Sequence, residues 1–239
     1  MYSKKILTRI MLCLLAVVSM FTVVGCKKDD TPISESYIFE KQLNSIRYYF
    51  EQGYPDDWTL KAGNDGSYIK KIEQYADGSK NQYINDCGLV AQLSPTANAD
   101  KVKYSVYSLK YPFMRATGGD FLLGLVGKSA DYPLEFNNLF IEDEENNPRA
   151  AFVWSQEIED TQESIKSTTV YYNKITFQKV PYTFTVDGVD WKGMMFVTVS
   201  KEGFYVITFE TAADAWDANY STMEKMLKDF RMRGWETRE

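Results

Sequence analysis

The sequence predicts an α+β domain, in which a mostly antiparallel sheet packs against a helix near the C-terminal end of the chain. Residues 175 to 209 alternate with a period of two, which is typical of β-strands. Asp187-Gly188 interrupts this alternation, and Asp-Gly between two such runs indicates a tight hairpin. From Trp216 to Phe230, apolar residues recur at steps of four and three, which indicates one face of an amphipathic helix.

The first half of the chain predicts shorter strands. Apolar residues alternate at Ile46, Tyr48 and Phe50, and this alternation ends before Pro55. Two hairpins are expected next, one joining SYIKKIEQY to NQYI through ADGSK and the other joining GLVAQL to KVKYSVYSL. The segments that follow are interpreted as a strand or turn at LLGLVGK, a short helix running into an acidic loop at 131–147, and a surface helix or long loop at 155–169.

The last third of the chain predicts a three-stranded antiparallel meander. Met195 and Val197 alternate with Phe196, so both sides of this strand are apolar. The next strand, after a turn at Lys201-Glu202-Gly203, has the same character. We therefore expect the sheet to be covered, at least partly, on both faces.

The closing helix has an apolar face that we expect to pack on this sheet. Thr211 or Asp214 is the expected cap, and Gly234 is the expected stop. The face consists of five residues at helical spacing, namely Trp216, Tyr220, Met223, Leu227 and Phe230.

The first 26 residues resemble the leader of a bacterial lipoprotein. Three basic residues precede an apolar run from Met11 to Val24, which is shorter than the roughly 20 residues that a membrane span needs. The run ends at Val23-Val24-Gly25-Cys26, which is similar to a lipobox. The resemblance implies that residues 1–25 are removed and that Cys26 is acylated. Two or three acyl chains would anchor the protein almost permanently, because each buried CH₂ contributes about 0.8 kcal/mol.

The residues after Cys26 resemble a sorting signal. Lys28, Asp29 and Asp30 are similar to the lysine-plus-acidic-pair signal that sends lipoproteins of Bacteroidota to the outer face of the outer membrane. This resemblance implies an outer-membrane protein on the cell surface rather than on the periplasmic face. The alternative is a solvated polar leash whose charges only keep the chain off the bilayer.

Composition argues against several classes of function. Without Lys4, Lys5 and Arg9, 24 basic residues face 33 acidic ones, and this net charge of about −9 argues against nucleic acid or anionic lipid as a partner. The sequence has no histidine, which removes the usual general base and the commonest zinc ligand. Once the leader is gone, Cys87 is the one cysteine besides Cys26, so no intramolecular disulfide is expected.

Two segments resemble the PsbP-like family. RYYFEQGYPDDWTL is similar to that family's opening strand, in which an aromatic-rich strand runs into a Tyr-Pro-x-x-Trp turn. GFYVITFETAADAWDANYSTMEKMLKDFRM is similar to its closing strand and helix, whose last turn carries Asp229, Phe230 and Arg231 in this sequence. The resemblance covers roughly residues 45 to 233. It implies an α/β/α sandwich with a central antiparallel sheet, no enzymatic activity as a rule, and an accessory or binding role on a larger assembly.

The candidate binding residues are Tyr54 and Trp58. If they are exposed, these rings could stack on a glycan or a peptide, and the alternative is packing within the strands. Asp56 and Asp57 lie between them and suggest the paired acids of a glycosidase, but adjacent residues usually point apart. The acidic stretch 141–147 could supply oxygens to Ca²⁺ but lacks EF-hand spacing, so a solvated loop is favoured. No catalytic residue, metal site or cofactor is predicted.

These inferences give one domain organisation and one leading function. Residues 1–25 are the predicted signal peptide, 26–37 a polar tether, and 38–234 a single domain. We expect a non-catalytic binding or accessory protein of an envelope complex, which its N-terminal lipid holds at the membrane beside a protein partner. The alternatives are a lipoprotein that binds a small ligand or a glycan and, least favoured, a carboxylate-dependent hydrolase.

Overall fold

A computed structural model describes residues 37–46, 48–62, 86–110, 117–128, 150–200 and 204–232. Their secondary structure, in chain order, is β1 (Gln42–Ser45), β2 (Phe50–Gly53), β3 (Trp58–Ala62), β4 (Asp86–Pro95), β5 (Val102–Lys110), α1 (Gly118–Leu125), β6 (Ala150–Trp154), α2 (Gln162–Ser167), β7 (Thr169–Tyr172), β8 (Ile175–Val186), β9 (Val189–Val199), β10 (Phe204–Ala212), a 3₁₀ turn (Ala213–Ala215), α3 (Trp216–Lys228) and β11 (Phe230–Met232). No helix in these ranges is long and apolar enough to cross a membrane.

The strands form two antiparallel sheets. The large sheet has the order β3-β4-β5-β10-β9-β8-β6, and β7 also pairs with β8. The small sheet has the order β1-β2-β11 and joins the two ends of the described chain. The predicted meander is confirmed as β8, β9 and β10, and the predicted hairpin of GLVAQL with KVKYSVYSL is confirmed as β4 and β5.

The turn between β8 and β9 shows why Asp187-Gly188 is such a clear signal. Val186 pairs with Val189, so the hairpin loop has only two residues. Both have positive φ, 50° at Asp187 and 77° at Gly188. Positive φ at both positions is the requirement of a type I′ turn, whose twist matches that of the flanking strands.

Both faces of the large sheet are buried, as the sequence predicts. On one face, which we call the helix face because α3 covers it, side chains of β10 such as Tyr205 and Ile207 pack against α3 and the small sheet. On the opposite face, Phe204 and Val206 of the same strand pack against α1 and α2. Helices therefore flank the large sheet on both sides. This arrangement confirms the predicted α/β/α sandwich with a C-terminal helix packed on a mostly antiparallel sheet.

The boundaries predicted for the last helix were wrong. Its N-cap is Ala215 and makes no side-chain capping bond, so neither Thr211 nor Asp214 caps it. Asp229 is the C-cap, so the helix stops well before Gly234, which lies outside the described residues. Phe230, which matches the helical spacing, belongs to β11 instead. It pairs with β2 and stacks on Phe50 at 5.7 Å between ring centroids, a long-range contact that overrides local periodicity.

The interpretation of LLGLVGK as a strand or turn was also wrong, because most of it forms α1. Thr117 caps this helix: its side chain accepts from the Asp120 N–H at 3.2 Å, and the Asp120 carboxylate accepts from the Thr117 N–H at 2.7 Å. The helix ends at Leu125, and Gly127, two residues later, has a φ of 72°. The N–H groups of Gly127 and Lys128 bond back to the carbonyls of Gly124 and Leu123, which is a Schellman motif.

The polar segment 155–169 contains a short surface helix, α2, which is one of its two predicted forms. The Thr161 side chain caps it by accepting from the Ser164 N–H at 3.2 Å. Ile165 packs towards the sheet and lies so close to Gly119 of α1 that a Cβ there would overlap it. The predicted ADGSK hairpin and the helix and acidic loop at 131–147 lie outside the described residues.

Candidate functional site

Asp229 joins the beginning of the described domain to its end. It follows α3 directly, and its side chain is buried. Its carboxylate accepts hydrogen bonds from the backbone N–H of Ile38 at 2.8 Å and of Phe39 at 2.9 Å. Its own backbone N–H stays in the helix, bonding to the carbonyls of Lys225 and Met226. The carboxylate at the end of the helix therefore fixes the chain where it enters the domain.

Gly53 provides the space for this carboxylate. A Cβ at position 53 would overlap the Asp229 side chain, and the Gly53 N–H bonds to the Asp229 carbonyl at 3.5 Å. Beside it, the Gln52 amide donates to the Met226 carbonyl at 2.6 Å and accepts from the Tyr104 hydroxyl at 2.8 Å. Burial, with a smaller effect from the negative charge of Asp229, holds the pKa of Tyr104 well above its usual range. The region around Asp229 is thus a packed polar network.

Tyr37 completes what we call the tether junction, which consists of Tyr37, Ile38, Phe39 and their partners Glu51, Asp229 and Arg231. The Arg231 guanidinium lies 3.7 Å from the centroid of the Tyr37 ring, a cation–π contact. The Tyr37 hydroxyl donates to the Glu51 carboxylate, and Glu51 is the register partner of Arg231. Burial and then this hydrogen bond raise the pKa of Tyr37 to about 12.

The junction gives the closing motif a structural role. Asp229, Phe230 and Arg231 were selected from the sequence as the end of a helix. In the structure Asp229 and Arg231 hold the N-terminal segment, while Phe230 packs in the core between Phe50 and Tyr205. The partners Glu51 and Gly53 were missed. The helix dipole disfavours a carboxylate directly after an amphipathic helix, so this position was a signal that Asp229 has a partner, although it does not identify the partner.

The face of the large sheet that packs against α1 and α2 carries a second cluster, which we call the aromatic row after its rings Tyr182 and Trp154. The row follows register partners across β5, β10, β9, β8 and β6, namely Lys103, Glu210, Gly193, Tyr182 and Trp154. The Tyr182 ring lies across Gly193, and its hydroxyl donates to the Glu210 carboxyl group at 2.5 Å. Both side chains are buried.

Further rings extend the aromatic row. Phe152 contacts Trp154 and Tyr182 at 4.9 and 5.4 Å between centroids. Phe184 stacks on Trp191 at 5.8 Å, and the Lys103 ammonium lies 5.2 Å from the Trp191 ring. Phe152 and Trp154 belong to β6 and are only half-buried. Half-buried aromatic faces suit stacking on a ligand, whereas the Glu210 carboxyl group is buried and already accepts from Tyr182.

Tyr54 and Trp58, the predicted binding residues, lie in the core. They are 7% and 3% exposed. The Lys41 ammonium lies 5.0 Å from the Tyr54 ring and donates to the Trp58 carbonyl at 2.7 Å. Burial raises the pKa of Tyr54. Packing within the strands, the alternative interpretation, therefore describes these two rings, and neither presents the exposed face that stacking on a glycan requires.

The other predicted residues are either exposed or outside the described ranges. Asp56 and Asp57 are exposed beside Trp58. Within the described ranges, no group of three or more Asp, Glu or Cys side chains could hold a metal ion. Cys26, Lys28, Asp29, Asp30 and the acidic stretch 141–147 lie outside those ranges, so lipidation, sorting and calcium binding stay predictions. The predicted domain boundaries are also untested.

Comparison with known proteins finds similarity in structure but not in sequence. No protein-family model matches the chain, and no curated protein sequence matches it. The solution structure of cyanobacterial PsbP from Synechocystis is similar with a TM-score of 0.46 and 16% identity, over 80% of this chain and 91% of that one. A protein from Bacteroides thetaiotaomicron has a TM-score of 0.43 and 9% identity, over 83% of this chain and 50% of that one.

A third similar structure is LpqN of Mycobacterium tuberculosis, which is described as involved in cell envelope biogenesis. Its TM-score is 0.38 at 9% identity, over 77% of this chain and 83% of that one. Similarity at these levels does not assign the chain to a family. The PsbP-like resemblance therefore remains a prediction, while the architecture itself is established by the strands and helices described above.

Proposed function

We propose that this chain is a lipid-anchored protein of the bacterial cell envelope, whose single α+β domain binds a partner there without catalysing a reaction. The observation that supports it best is Val23-Val24-Gly25-Cys26 at the end of a short apolar run. In the structure, Arg231 and Asp229 hold residues 37 to 39, which begin eleven residues after Cys26 in the sequence. A short tether joined to a fixed point is the arrangement that an anchored domain needs.

Metabolic labelling with a fatty-acid analogue tests the anchor. The full chain should take up label and partition into the membrane fraction of a bacterial host. Cys26→Ala should abolish both, because the acceptor thiol is gone, whereas Cys87→Ala is the matched control and should keep both. Label retained by the Cys26→Ala chain would refute the proposed site of acylation.

Surface display is the finer part of the proposal and rests on Lys28, Asp29 and Asp30. Protease added to intact cells of a Bacteroidota host should degrade the protein. Replacing Asp29 and Asp30 by alanine should protect it until the cells are lysed, without changing acylation. Protection of the unmodified chain in intact cells would place it on the periplasmic face instead.

The binding role is supported by what the chain offers chemically. The sequence has no histidine, and Asp56 and Asp57, the adjacent acids considered and disfavoured as a catalytic pair, are exposed rather than enclosed. We therefore assign the chain an accessory role with a protein partner in the envelope. Crosslinking in intact cells followed by mass spectrometry tests this assignment: one recurrent envelope protein is expected, and its absence from repeated experiments would contradict a stable complex.

The aromatic row favours a second candidate function, the binding of a glycan or another small polar ligand. Phe152 and Trp154 on β6 are half-buried rings next to the buried pair of Tyr182 and Glu210. Titration with soluble oligosaccharides, followed by tryptophan fluorescence, should show saturable quenching that Trp154→Ala abolishes. Trp216→Ala, which removes a half-buried ring on the helix face, is the control. Equal loss in both variants would argue against a site at the aromatic row.

A further inference from the structure

The chain enters the described domain beside the turn between β1 and β2. Tyr37 donates to Glu51 in β2, two residues after this turn. The Phe39 N–H bonds to the Asp229 carboxylate, and the Gly53 N–H bonds to the Asp229 carbonyl, so Phe39 lies near Gly53. Gly53 is two residues further from the turn than Glu51. Traced backwards from Phe39 to Tyr37, the chain therefore runs towards the turn, and the tether joins the domain at that end of the small sheet.

The same turn presents an apolar tip, which we define as Ile46 and Tyr49. Ile46 is 72% exposed, which makes it the most exposed large apolar side chain in the described ranges, and Tyr49 is 43% exposed. Ile38, at the tether junction, is 50% exposed. Three of the seven exposed large apolar side chains in the described ranges therefore lie at this turn and at the tether junction, and the other four are spread over β3, β6, β7 and β9.

Hydrogen bonds of Tyr48 to residues of the core hold the turn in place. Two residues separate Ile46 from Tyr49: Arg47 lies outside the described residues, and Tyr48 is buried, with its carbonyl accepting from the Tyr205 hydroxyl at 2.5 Å. Its N–H bonds to the Ser45 hydroxyl at 3.3 Å. Tyr49 has a φ of 55°, a backbone conformation that costs free energy for a residue other than glycine. The fold therefore fixes the tip in an outward-facing conformation although its two exposed side chains add little to the core.

The length of the tether limits how far the domain can lie from its anchor. Tyr37 is eleven residues after Cys26, and at about 3.6 Å per residue these residues span at most about 40 Å. If Cys26 is acylated, as proposed above, this end of the small sheet is confined near the bilayer. Such confinement raises the effective concentration of the tip at the membrane, so that even a weak contact is occupied.

We infer that the apolar tip rests in the headgroup interface of the bilayer that holds the lipid anchor, and so orients the domain. Tyrosine suits this interface because its ring is apolar and its hydroxyl is wet, and Ile46 supplies aliphatic surface. This inference depends on the proposed anchor.

A fluorophore that brightens in apolar surroundings tests the contact. The acylated full chain with Cys87→Ala is labelled at Ile46→Cys, or at Val189→Cys as the control, and reconstituted into phosphatidylcholine vesicles. Val189 also flanks a hairpin turn and is 50% exposed, but it belongs to the large sheet. We expect the label at position 46 to be at least about twofold brighter in vesicles than in the non-acylated Cys26→Ala chain. Spin-labelled phosphatidylcholine should quench it, and neither effect should occur at position 189.

A second substitution keeps the test independent of the label. Tyr49→Asp in the chain labelled at position 46 should remove most of the brightening, whereas Tyr171→Asp, at a residue 58% exposed in β7, should leave it unchanged. If the protein floats with the vesicles but the position 46 label remains as dim as the control, the tip contact is wrong and the anchor stands. If the protein does not float with the vesicles, both the anchor and the tip contact are wrong.

Discussion

Replacing Gly193 by alanine tests the packing of the large sheet on the face covered by α1 and α2, where the Tyr182 ring lies directly on the backbone of Gly193. A methyl group at this position would lie well inside van der Waals contact with three carbons of the Tyr182 ring. The ring must move, and its hydroxyl must then leave the Glu210 carboxyl group, which it now binds at 2.5 Å. Neither residue can shift freely, because both are buried.

The size of the effect follows from three contributions. Overpacking of a core costs about 1 to 3 kcal/mol, and the loss of a buried hydrogen bond costs about 1.5 kcal/mol more. Alanine returns about 0.5 to 1 kcal/mol, because it restricts the unfolded backbone. We therefore expect Gly193→Ala to lower the free energy of unfolding by about 3 kcal/mol.

Urea unfolding and thermal unfolding measure this loss. A change of 3 kcal/mol should lower Tm by about 6 to 12 °C in a domain of this size. The matched control is Gly118→Ala, where a Cβ would meet Gln178 and Val199 at the ordinary contact distances of 3.7 and 3.8 Å. We expect the control to change the free energy of unfolding by less than about 0.5 kcal/mol.

A double-mutant cycle separates the two costs. On a Tyr182→Phe background the hydrogen bond to Glu210 is already absent, so Gly193→Ala should cost about 1.5 kcal/mol less than in the parent chain. A Gly193→Ala protein as stable as the parent, or a cycle without coupling, would refute the reasoning that Tyr182 is held over Gly193 by Glu210.

Three other perturbations have expected outcomes. Asp229→Ala should lower the free energy of unfolding by about 3 kcal/mol, because two backbone N–H groups lose a carboxylate acceptor. The control is Asp214→Ala, which breaks an exposed ion pair and should cost less than about 1 kcal/mol. Equal losses of the two variants in urea unfolding would contradict the tether junction. Thr117→Ala should cost about 1 kcal/mol in the same assay, because α1 loses its cap; no change would mean that the cap is not formed. The pKa of Tyr37 is about 12 in the folded chain and about 10 in the unfolded chain, so the unfolded chain releases this proton first as the pH rises. The free energy of unfolding should therefore fall between pH 10 and 12, and Tyr37→Phe should reduce this fall. Identical pH profiles of stability in the parent and in Tyr37→Phe would count against the junction.

The large sheet could be predicted because its signals are local. Alternation along β8, β9 and β10 places successive side chains on opposite faces, and both faces are apolar because helices cover both. The dipeptide at 187–188 determines the turn on its own, since its two residues must both adopt positive φ. None of these features depends on a distant partner.

Errors arose where local patterns are ambiguous or are overridden. The apolar run in α1 is short and contains glycine, so periodicity does not separate helix from strand there. The spacing of Thr117 and Asp120 was the available signal, because it matches a capping box. Phe230 has helical spacing but pairs with β2, about 180 residues earlier in the chain. No local pattern shows such a partner.

The candidate sites were harder to predict than the fold. Tyr54 and Trp58 lie beside a turn and an exposed acidic pair, a context that does not reveal that both rings face the core. The tether junction and the aromatic row depend on register between distant strands: Glu51 meets Arg231, and Tyr182 reaches Glu210 across β9. Composition supplied the tyrosines and carboxylates, but only the sheet topology brings them together.

The N-terminal peptide of the protein, isolated from bacterial membranes and analysed by mass spectrometry, tests the central claim most directly. The proposed anchor predicts that the mature chain begins at Cys26 and carries a mass increase of two or three fatty acyl groups on that residue. A chain that begins at any other residue, or an unmodified Cys26 in protein recovered from the soluble fraction, would contradict it.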